Sequence, residues 1–176
     1  MTEINFACQC NAVHIVGLGR PIVSSACYCS DCQAASKVLA SGGKGPPLAG
    51  SDGGTRVVLF RKDRVSFSKG NDLLVEARLK PDSATRRVVA SCCRTPMFLE
   101  YTKGHWISLY ANTTGEAPPV AMRTMTKDRP PGAELPTDVP NYTEFGGRFM
   151  ARLLWAWVKM GFRSPKIPAL KPIDTQ

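Results

Sequence analysis

The residues of this sequence whose type and spacing could do chemistry are its seven cysteines. They form three groups, which are Cys8 with Cys10, Cys27 with Cys29 and Cys32, and Cys92 with Cys93. At such short spacings one turn of the chain can present two sulfurs to a single ion. Because sulfur ligands favour zinc over magnesium or calcium, the sequence predicts zinc binding.

Disulfide bonds explain these cysteines less well than metal does. Seven cysteines cannot all pair within one chain. The first six residues have neither the basic start nor the apolar stretch of a signal peptide, which predicts a cytoplasmic protein with reduced thiols. No segment is apolar enough over roughly 20 residues to be expected to cross a membrane.

The middle group predicts an open metal site. Cys27, Cys29 and Cys32 offer three thiolates within a short stretch, and Cys32 falls where a helix should begin. A helix N-terminus stabilises anionic sulfur through its dipole and its free N–H groups. Three protein ligands leave a fourth position for water or substrate, as in catalytic zinc sites. The alternative is a structural site that takes its fourth ligand from elsewhere, and Asp31 beside it can equally serve as a helix cap.

The first and third groups together offer four sulfurs, enough for a closed structural site. Because adjacent residues of a strand point to opposite faces, Cys92 and Cys93 can share one ion only if the backbone turns there. The alternatives are a three-sulfur site with one free cysteine, or no metal at all. His14 would lie on the same strand face as Cys8 and Cys10 and could supply a missing ligand, although a partly buried strand histidine is the simpler interpretation.

The elements that must position these groups are mainly short strands. Runs with β-branched and aromatic residues, bounded by turn residues, recur about every 8–12 positions. They cover residues 12–18, 22–27, 56–60, 64–67, 73–79, 86–90, 97–101, 105–110 and 120–125. A helix is predicted over 30–39, followed by a glycine-rich loop over 41–54. His105 falls at a turn and is expected to be exposed.

A second helix is predicted over residues 143–160. Its apolar residues recur at spacings of three or four along one stripe, formed by Phe145, Phe149, Leu153, Trp157 and Met160. The simplest interpretation is that this helix covers the β core. Residues 1–140 would then form a zinc-binding β domain, with the helix and tail of residues 141–176 packed on it. A dimer contact and a membrane-surface helix are the alternatives.

The formal charge of +9 suits an anionic small molecule, nucleic acid or an acidic partner. The basic residues are scattered, and no motif combines aromatic and basic residues as RNA-binding motifs do, so nucleic acid is not the expected partner. An anionic thiol, or an adduct of one, has carboxylates that arginines could bind. The arginines considered for this role, each of which could equally be an ordinary surface group, are Arg56, Arg61, Arg86, Arg87 and Arg94.

The order of the cysteine motifs resembles that of the glutathione-dependent formaldehyde-activating enzyme family, which includes centromere protein V. The shared order is C-x-C, then C-x-C-x-x-C, then a late cysteine pair before Thr-Pro. An uncharacterised branch of that superfamily is still more similar, through Gly53-Gly54-Thr55 and the Gly-Arg-x-x-x-Arg-Leu-Leu segment of the last helix. The resemblance covers roughly residues 6–165, as judged from the motif order.

The resemblance implies a complex β-sandwich with two zinc ions, a short helix after the middle motif and a C-terminal helix. It implies that Cys27, Cys29 and Cys32 hold a catalytic zinc, and that a structural zinc is held by Cys8, Cys10, Cys92 and Cys93. The chain departs from the family pattern at two places. Asn11 replaces the glycine after the first motif, and the late C-x-x-C-G motif is reduced to the adjacent pair followed by Arg94.

Two functions are compatible with these residues. The first is a carbon–sulfur lyase that acts on an adduct of glutathione or another thiol at an open three-cysteine zinc. The second is a non-catalytic module, stabilised by zinc, that binds a protein or nucleic-acid partner. No general acid or base and no oligomeric state can be assigned from the sequence.

Overall fold

The computed structural model describes residues 2–40, 45 and 47–173 of the chain. Within these residues the α-helices are α1 (Ser30–Ala40) and α2 (Gly147–Lys159). The strands are β1 (Glu3–Ala7), β2 (His14–Leu18), β3 (Val23–Cys27), β4 (Thr55–Arg61), β5 (Val65–Lys69), β6 (Leu74–Ala77), β7 (Thr85–Ala90), β8 (Pro96–Tyr101), β9 (Trp106–Tyr110), β10 (Met122–Thr124) and β11 (Lys171–Pro172).

The strands form two sheets. The small sheet has the order β1-β2-β5, and the large sheet has the order β10-β3-β4-β9-β8-β7-β6-β11. Neighbouring strands are antiparallel, except that β10 runs parallel to β3 and β11 runs parallel to β6. The predicted mainly-β fold is therefore confirmed.

The two sheets pack against each other through one apolar core. Phe6 and Ile15 of the small sheet contribute to it, as do Phe60 and Phe98 of the large sheet. Their side chains are completely buried. Removing this apolar area from water is the main stabilising contribution to the sandwich.

The opposite face of the large sheet is covered by the helices. Val57 of β4 packs there with Ala35 of α1 and with Phe149 and Leu153 of α2. Its neighbour Val58 belongs to the core between the sheets, as expected when successive side chains alternate between faces. The large sheet is thus the central layer of the molecule, with the small sheet on one side and both helices on the other.

The boundaries differ from the sequence predictions at several places. Strands β1 and β11 were not predicted, and α2 begins at Gly147, later than position 143. Residues 41–44 and 46 of the predicted glycine-rich loop lie outside the described residues. The predicted stripe of α2 is correct for Phe149, Leu153 and Met160, which are buried, but wrong for Phe145, which is 50% exposed.

His105 is not exposed, contrary to the prediction. Its side chain is 6% exposed, and its ring stacks on Trp157 of α2 with the centroids 5.6 Å apart. Nε2 lies 2.9 Å from the carbonyl oxygen of Leu153. The prediction failed because α2, which is distant in sequence, covers the turn before β9.

Candidate metal centres

Four cysteines from two distant loops meet at one end of the sandwich. Cys8 and Cys10 lie in the loop between β1 and β2, and Cys92 and Cys93 lie in the loop between β7 and β8. One ligand atom from each lies within 4.8 Å of the others, and we call this group the Cys8 cluster. The closed set of four sulfurs that was predicted is therefore present.

Sulfur–sulfur distances in the Cys8 cluster match those around a metal ion. Cys10 Sγ is 3.6 Å from Cys8 Sγ and 3.3 Å from Cys92 Sγ, and Cys92 Sγ is 3.8 Å from Cys93 Sγ. Four sulfurs bound at about 2.3 Å to a tetrahedral zinc lie about 3.8 Å apart. A disulfide would require about 2.05 Å. The described cysteines are accordingly all unpaired thiols.

A change of backbone direction lets the adjacent cysteines share a site. Residues 91–93 form a turn, and Arg94 adopts a left-handed conformation with φ of 58°. Asn11, at the position where the resembled family has glycine, has φ of 62°. Asparagine enters this region at lower cost than most residues do. Both positions thus adopt the left-handed conformation without a glycine.

Thr95 links the two cysteine loops. Its hydroxyl oxygen accepts a hydrogen bond from the backbone N–H of Gln9 at 3.1 Å, and the hydroxyl lies 3.1 Å from Cys93 Sγ. Burial acts to raise the pKa of Cys93, but hydrogen bonds, led by that of Thr95, lower it to about 6. The Val13 N–H also donates to Cys8 Sγ at 3.2 Å. Thr95 lies two positions after Cys93 in the Thr-Pro segment noted from the sequence, but this role was not predicted.

Cys27, Cys29 and Cys32 form a second group, the Cys27 cluster, with their sulfurs within 4.8 Å of one another. Cys27 ends β3, and Cys32 lies in the first turn of α1. The Cys32 N–H lies 3.4 Å from Cys29 Sγ and donates to it. The start of the helix therefore folds back over the strand end and gathers the three sulfurs, as the spacing predicted.

The electrostatics of the Cys27 cluster favour a bound cation. Hydrogen bonds from Cys27 and Cys32 lower the pKa of Cys29 to about 3. The contact with Cys29 raises the pKa of Cys27 to about 11, and contacts with Cys27 and Cys29 raise that of Cys32. Ionisation of one of the three thiols is thus favoured, whereas repulsion between negative charges opposes ionisation of all three. A metal ion removes this conflict because its charge compensates all three thiolates.

Among the residues that the structure describes, the Cys27 cluster has only its three cysteines as candidate ligands of the Cys, His, Asp or Glu type. The hydroxyl of Thr55, a residue that is 0% exposed, has no hydrogen-bond partner there. Thr55 pairs directly with Cys27 across β3 and β4, so both side chains lie on the same face of the sheet. An unsatisfied buried hydroxyl is costly, and a ligand at this centre would offer it a partner.

Arg87 is the arginine that the structure places at the Cys27 cluster. It is 3% exposed, donates to the carbonyl oxygen of Asp31 at 3.0 Å, and helps to lower the pKa of Cys29 through its charge. Arg86 is instead paired with Glu100, and Arg61 is paired with Asp63. Arg87 therefore lies where it could bind a carboxylate of a ligand, as considered from sequence. Arg86 does not, because it is buried and already paired.

Tyr28 fixes the backbone between Cys27 and Cys29. The buried hydroxyl of Tyr28 donates to Asp52 Oδ2 at 2.5 Å, and burial, followed by the Asp52 interactions, raises the pKa of this phenol to about 12. A Cβ atom on Gly54 would lie 2.7 Å from the Tyr28 ring, so the chain passes too close for a larger residue. The sequence analysis noted Gly54 but missed its contact with Tyr28.

No histidine or aspartate in the described part of the chain joins either cluster. His14 is half-buried and its Nε2 lies 3.1 Å from the carbonyl oxygen of Asn11, outside the Cys8 cluster. Asp31 is exposed in the first turn of α1. The position of His14 agrees with the simpler interpretation made from sequence, whereas Asp31 is the second residue of α1 and lies inside the helix rather than at its cap position.

Comparisons with known proteins leave the family open. No protein-family model and no curated protein matches the sequence. Among solved structures, a Rhodobacter sphaeroides protein determined in a structural genomics programme is 13% identical in sequence. The match covers 78% of this chain and 99% of that chain, with a TM-score of 0.47.

Proposed function

We propose that this chain is a two-zinc protein of the type suggested by its cysteine order, with a closed structural site and an open site that binds a thiol. The observation that carries the proposal is the convergence of three sulfurs from Cys27, Cys29 and Cys32 with no fourth ligand residue joining them among the described residues. On this basis the proposed reaction class is carbon–sulfur lyase chemistry on an adduct of glutathione or another thiol.

The Cys8 cluster fits a structural zinc. Four thiolates complete a tetrahedral coordination shell, which leaves no position for substrate. Cys8 is buried and belongs to the core between the sheets, so the site is continuous with the packed interior. We assign Cys8, Cys10, Cys92 and Cys93 as its ligands, and we regard residues 141–176 as part of the same domain because α2 packs on the large sheet.

The Cys27 cluster fits a zinc with one free coordination position. Zinc bound there would supply Lewis-acid chemistry toward a thiolate sulfur or a carbonyl oxygen. The chain's own residues would do the rest of the binding. Arg87 would hold the start of α1 against the cluster, and the Thr55 hydroxyl would donate to a bound ligand. The formal charge of +9 would favour encounter with an anionic thiol.

Cobalt substitution tests the open site. In the cobalt-loaded protein, added glutathione should alter the sulfur-to-cobalt charge-transfer absorption, because a fourth sulfur would enter the coordination shell. The matched control is Cys29→Ala, which removes a ligand of the Cys27 cluster and should abolish the response while leaving cobalt in the Cys8 cluster. An unchanged spectrum of the wild-type protein at saturating thiol would refute the open site.

A separate assay tests the reaction class. Thiol–aldehyde adducts incubated with the zinc-loaded protein should release aldehyde faster than the same adducts in buffer. Thr55→Val should slow that release by about tenfold or more, since it removes one hydrogen bond to the bound ligand in a dry site. If thiol binds cobalt but no adduct is cleaved, the site binds thiols without catalysis and the lyase proposal is wrong.

A further inference from the structure

The exposed apolar surface of this protein is concentrated on one helix. Eight large hydrophobic side chains are exposed among the described residues, and six of them lie between positions 145 and 162. Trp155 and Phe162 are each 60% exposed, and Leu154 is 56% exposed. Single exposed apolar residues are common on protein surfaces, but a contiguous group marks an interaction site.

Helix α2 has a second apolar face in addition to the one that packs on the sheet. With about 100° between successive residues, Phe149, Leu153, Ala156 and Met160 form the buried face. The other face, which we call the outer face of α2, is formed by Met150, Leu154, Trp155, Val158 and, just beyond the helix, Phe162. Packing on the β core requires only the first face. The outer face is therefore not explained by folding.

Positive charge borders the outer face, and the segment that forms this face has no acidic residue of its own. Residues 145–173 contain six lysines and arginines and no aspartate or glutamate. Arg148, Arg152 and Lys159 fall along one edge of the outer face at the same helical periodicity. Lys159 Nζ lies 5.3 Å from the centroid of the Trp155 ring, so charge and apolar surface are in direct contact.

The tail beyond α2 is attached to the sandwich by hydrogen bonds. Arg86 Nη2 donates to the carbonyl oxygens of Ile167 and Pro168 at 3.2 and 3.0 Å. Ile173 N–H donates to the carbonyl oxygen of Glu76 at 2.8 Å. The basic residues of the tail, Lys166 and Lys171, therefore remain on the folded domain rather than on a free end.

We infer that the outer face of α2 docks on the surface of an anionic lipid bilayer. Arginine and lysine would contact the headgroups, while Trp155, Leu154 and Phe162 would enter the boundary between headgroups and acyl chains. A second copy of the chain fits less well, because a symmetric contact would place the same cations against one another. No described helix is long and apolar enough to span a bilayer, so the expected attachment is at the surface.

Vesicle binding by the full-length zinc-loaded protein tests this inference. The protein should co-sediment with phosphatidylcholine vesicles that contain phosphatidylserine, but not with phosphatidylcholine alone, and added salt should weaken binding. Tryptophan fluorescence should shift to shorter wavelength on binding, and Trp155→Phe should reduce that shift. Leu154→Glu should weaken binding by about tenfold or more, because it places a charge in the apolar boundary.

The matched control is Ser66→Glu, which alters an exposed side chain of β5 in the small sheet, on the opposite side of the large sheet from α2. It should bind vesicles as the wild type does. Unfolding in urea checks that both variants are folded, and another exposed α2 variant, Val158→Glu, can replace Leu154→Glu. Equal binding by all variants, no binding to anionic vesicles, or a dimer in sedimentation that Leu154→Glu dissociates would each overturn the inference. So would binding to acidic polypeptide but not to lipid.

Discussion

At the residue scale, local hydrogen bonds determine which sulfurs are prepared for metal. Cys29 accepts from the N–H of Cys32 and from neighbouring thiols, and its pKa falls to about 3. In the Cys8 cluster, burial raises the pKa of Cys8, whereas the Thr95 hydroxyl helps to lower that of Cys93. Each cluster thus contains a cysteine whose pKa is lowered, Cys29 or Cys93, and at least one whose pKa is raised, such as Cys27 or Cys8.

His105 provides a pH-dependent contribution to stability. Burial lowers its pKa, and nearby Lys62 and Arg61 add to this effect. Because the Leu153 carbonyl oxygen can only accept, Nε2 must carry the proton of the neutral ring. As pH falls below about 6.5, the His105 ring of the unfolded chain binds a second proton. The same ring in the folded protein stays neutral to lower pH. Stability linked to His105 is therefore present above about pH 6.5 and is lost as pH falls through the folded pKa.

Replacement of His105 should reduce this pH dependence. We expect the free energy of unfolding of the wild type to fall between pH 7.5 and 5.5 relative to His105→Gln, by at most about 1.4 kcal/mol per pH unit for one linked proton. Urea unfolding at several pH values provides the measurement. Because the free energies of unfolding of the two proteins are compared at each pH, any effect of metal loss that both share cancels. Parallel pH profiles would show that His105 is not a linked group.

At the element scale, a buried ion network joins the strands of the large sheet at one end. Glu100 of β8 accepts from Arg86 Nε of β7 at 2.6 Å and lies 2.6 Å from Lys62 Nζ, which follows β4. Arg86 also pairs with Glu76 of β6 at 2.8 Å. The side chains of Lys62, Arg86 and Glu100 are each 3% exposed or less. Such a network is costly to break at Glu100, because Lys62 would remain buried without this partner and Arg86 would keep only Glu76.

Glu100→Gln should therefore be strongly destabilising. We expect a loss of about 3–5 kcal/mol in the free energy of unfolding, since Lys62 and Arg86 would keep their charges in a dry environment. The matched control is Asp63→Asn, which breaks the more exposed pair with Arg61 and should cost no more than about 1 kcal/mol. Urea unfolding of both variants compares the two costs. A loss for Glu100→Gln no larger than that of the control would contradict the argument.

At the scale of the whole molecule, the two clusters connect different parts of the fold. The Cys8 cluster joins the small sheet to the large one through residues 84 positions apart, Cys8 and Cys92. The Cys27 cluster lies on the other side of the large sheet and joins only β3 to the start of α1. Metal bound between distant segments adds directly to folding free energy, because the unfolded chain cannot form the site.

This difference predicts unequal effects of two cysteine substitutions. Cys29→Ala should lower the zinc content by about one equivalent while most of the folded structure remains. Cys10→Ala should reduce soluble yield and cooperative unfolding more severely, because it weakens the link between the sheets. Zinc analysis and urea unfolding of the purified variants provide the comparison. Equal loss of folded protein in both variants would count against the assignment of a structural and an open site.

Much of the Cys27 cluster could be predicted from the sequence because its geometry is local. The spacing of Cys27, Cys29 and Cys32 and the helix signal after Ser30 are sufficient to bring three sulfurs together at a helix N-terminus. Short apolar runs separated by turns likewise predicted the β-rich fold. The strand β1 was missed, although its alternation of buried Ile4 and Phe6 with exposed residues was available.

The remaining features depend on contacts between distant segments. Local spacing could not decide whether Cys92 and Cys93 share a site, because the answer lies in the turn closed by the left-handed Arg94. The burial of His105 and the exposure of Phe145 depend on how α2 packs on the large sheet. Residue types and short spacings determined that this chain has cysteine groups that could bind metal. Tertiary packing alone decided which sulfurs meet and which face of α2 is left open, because those contacts join residues that no local pattern relates.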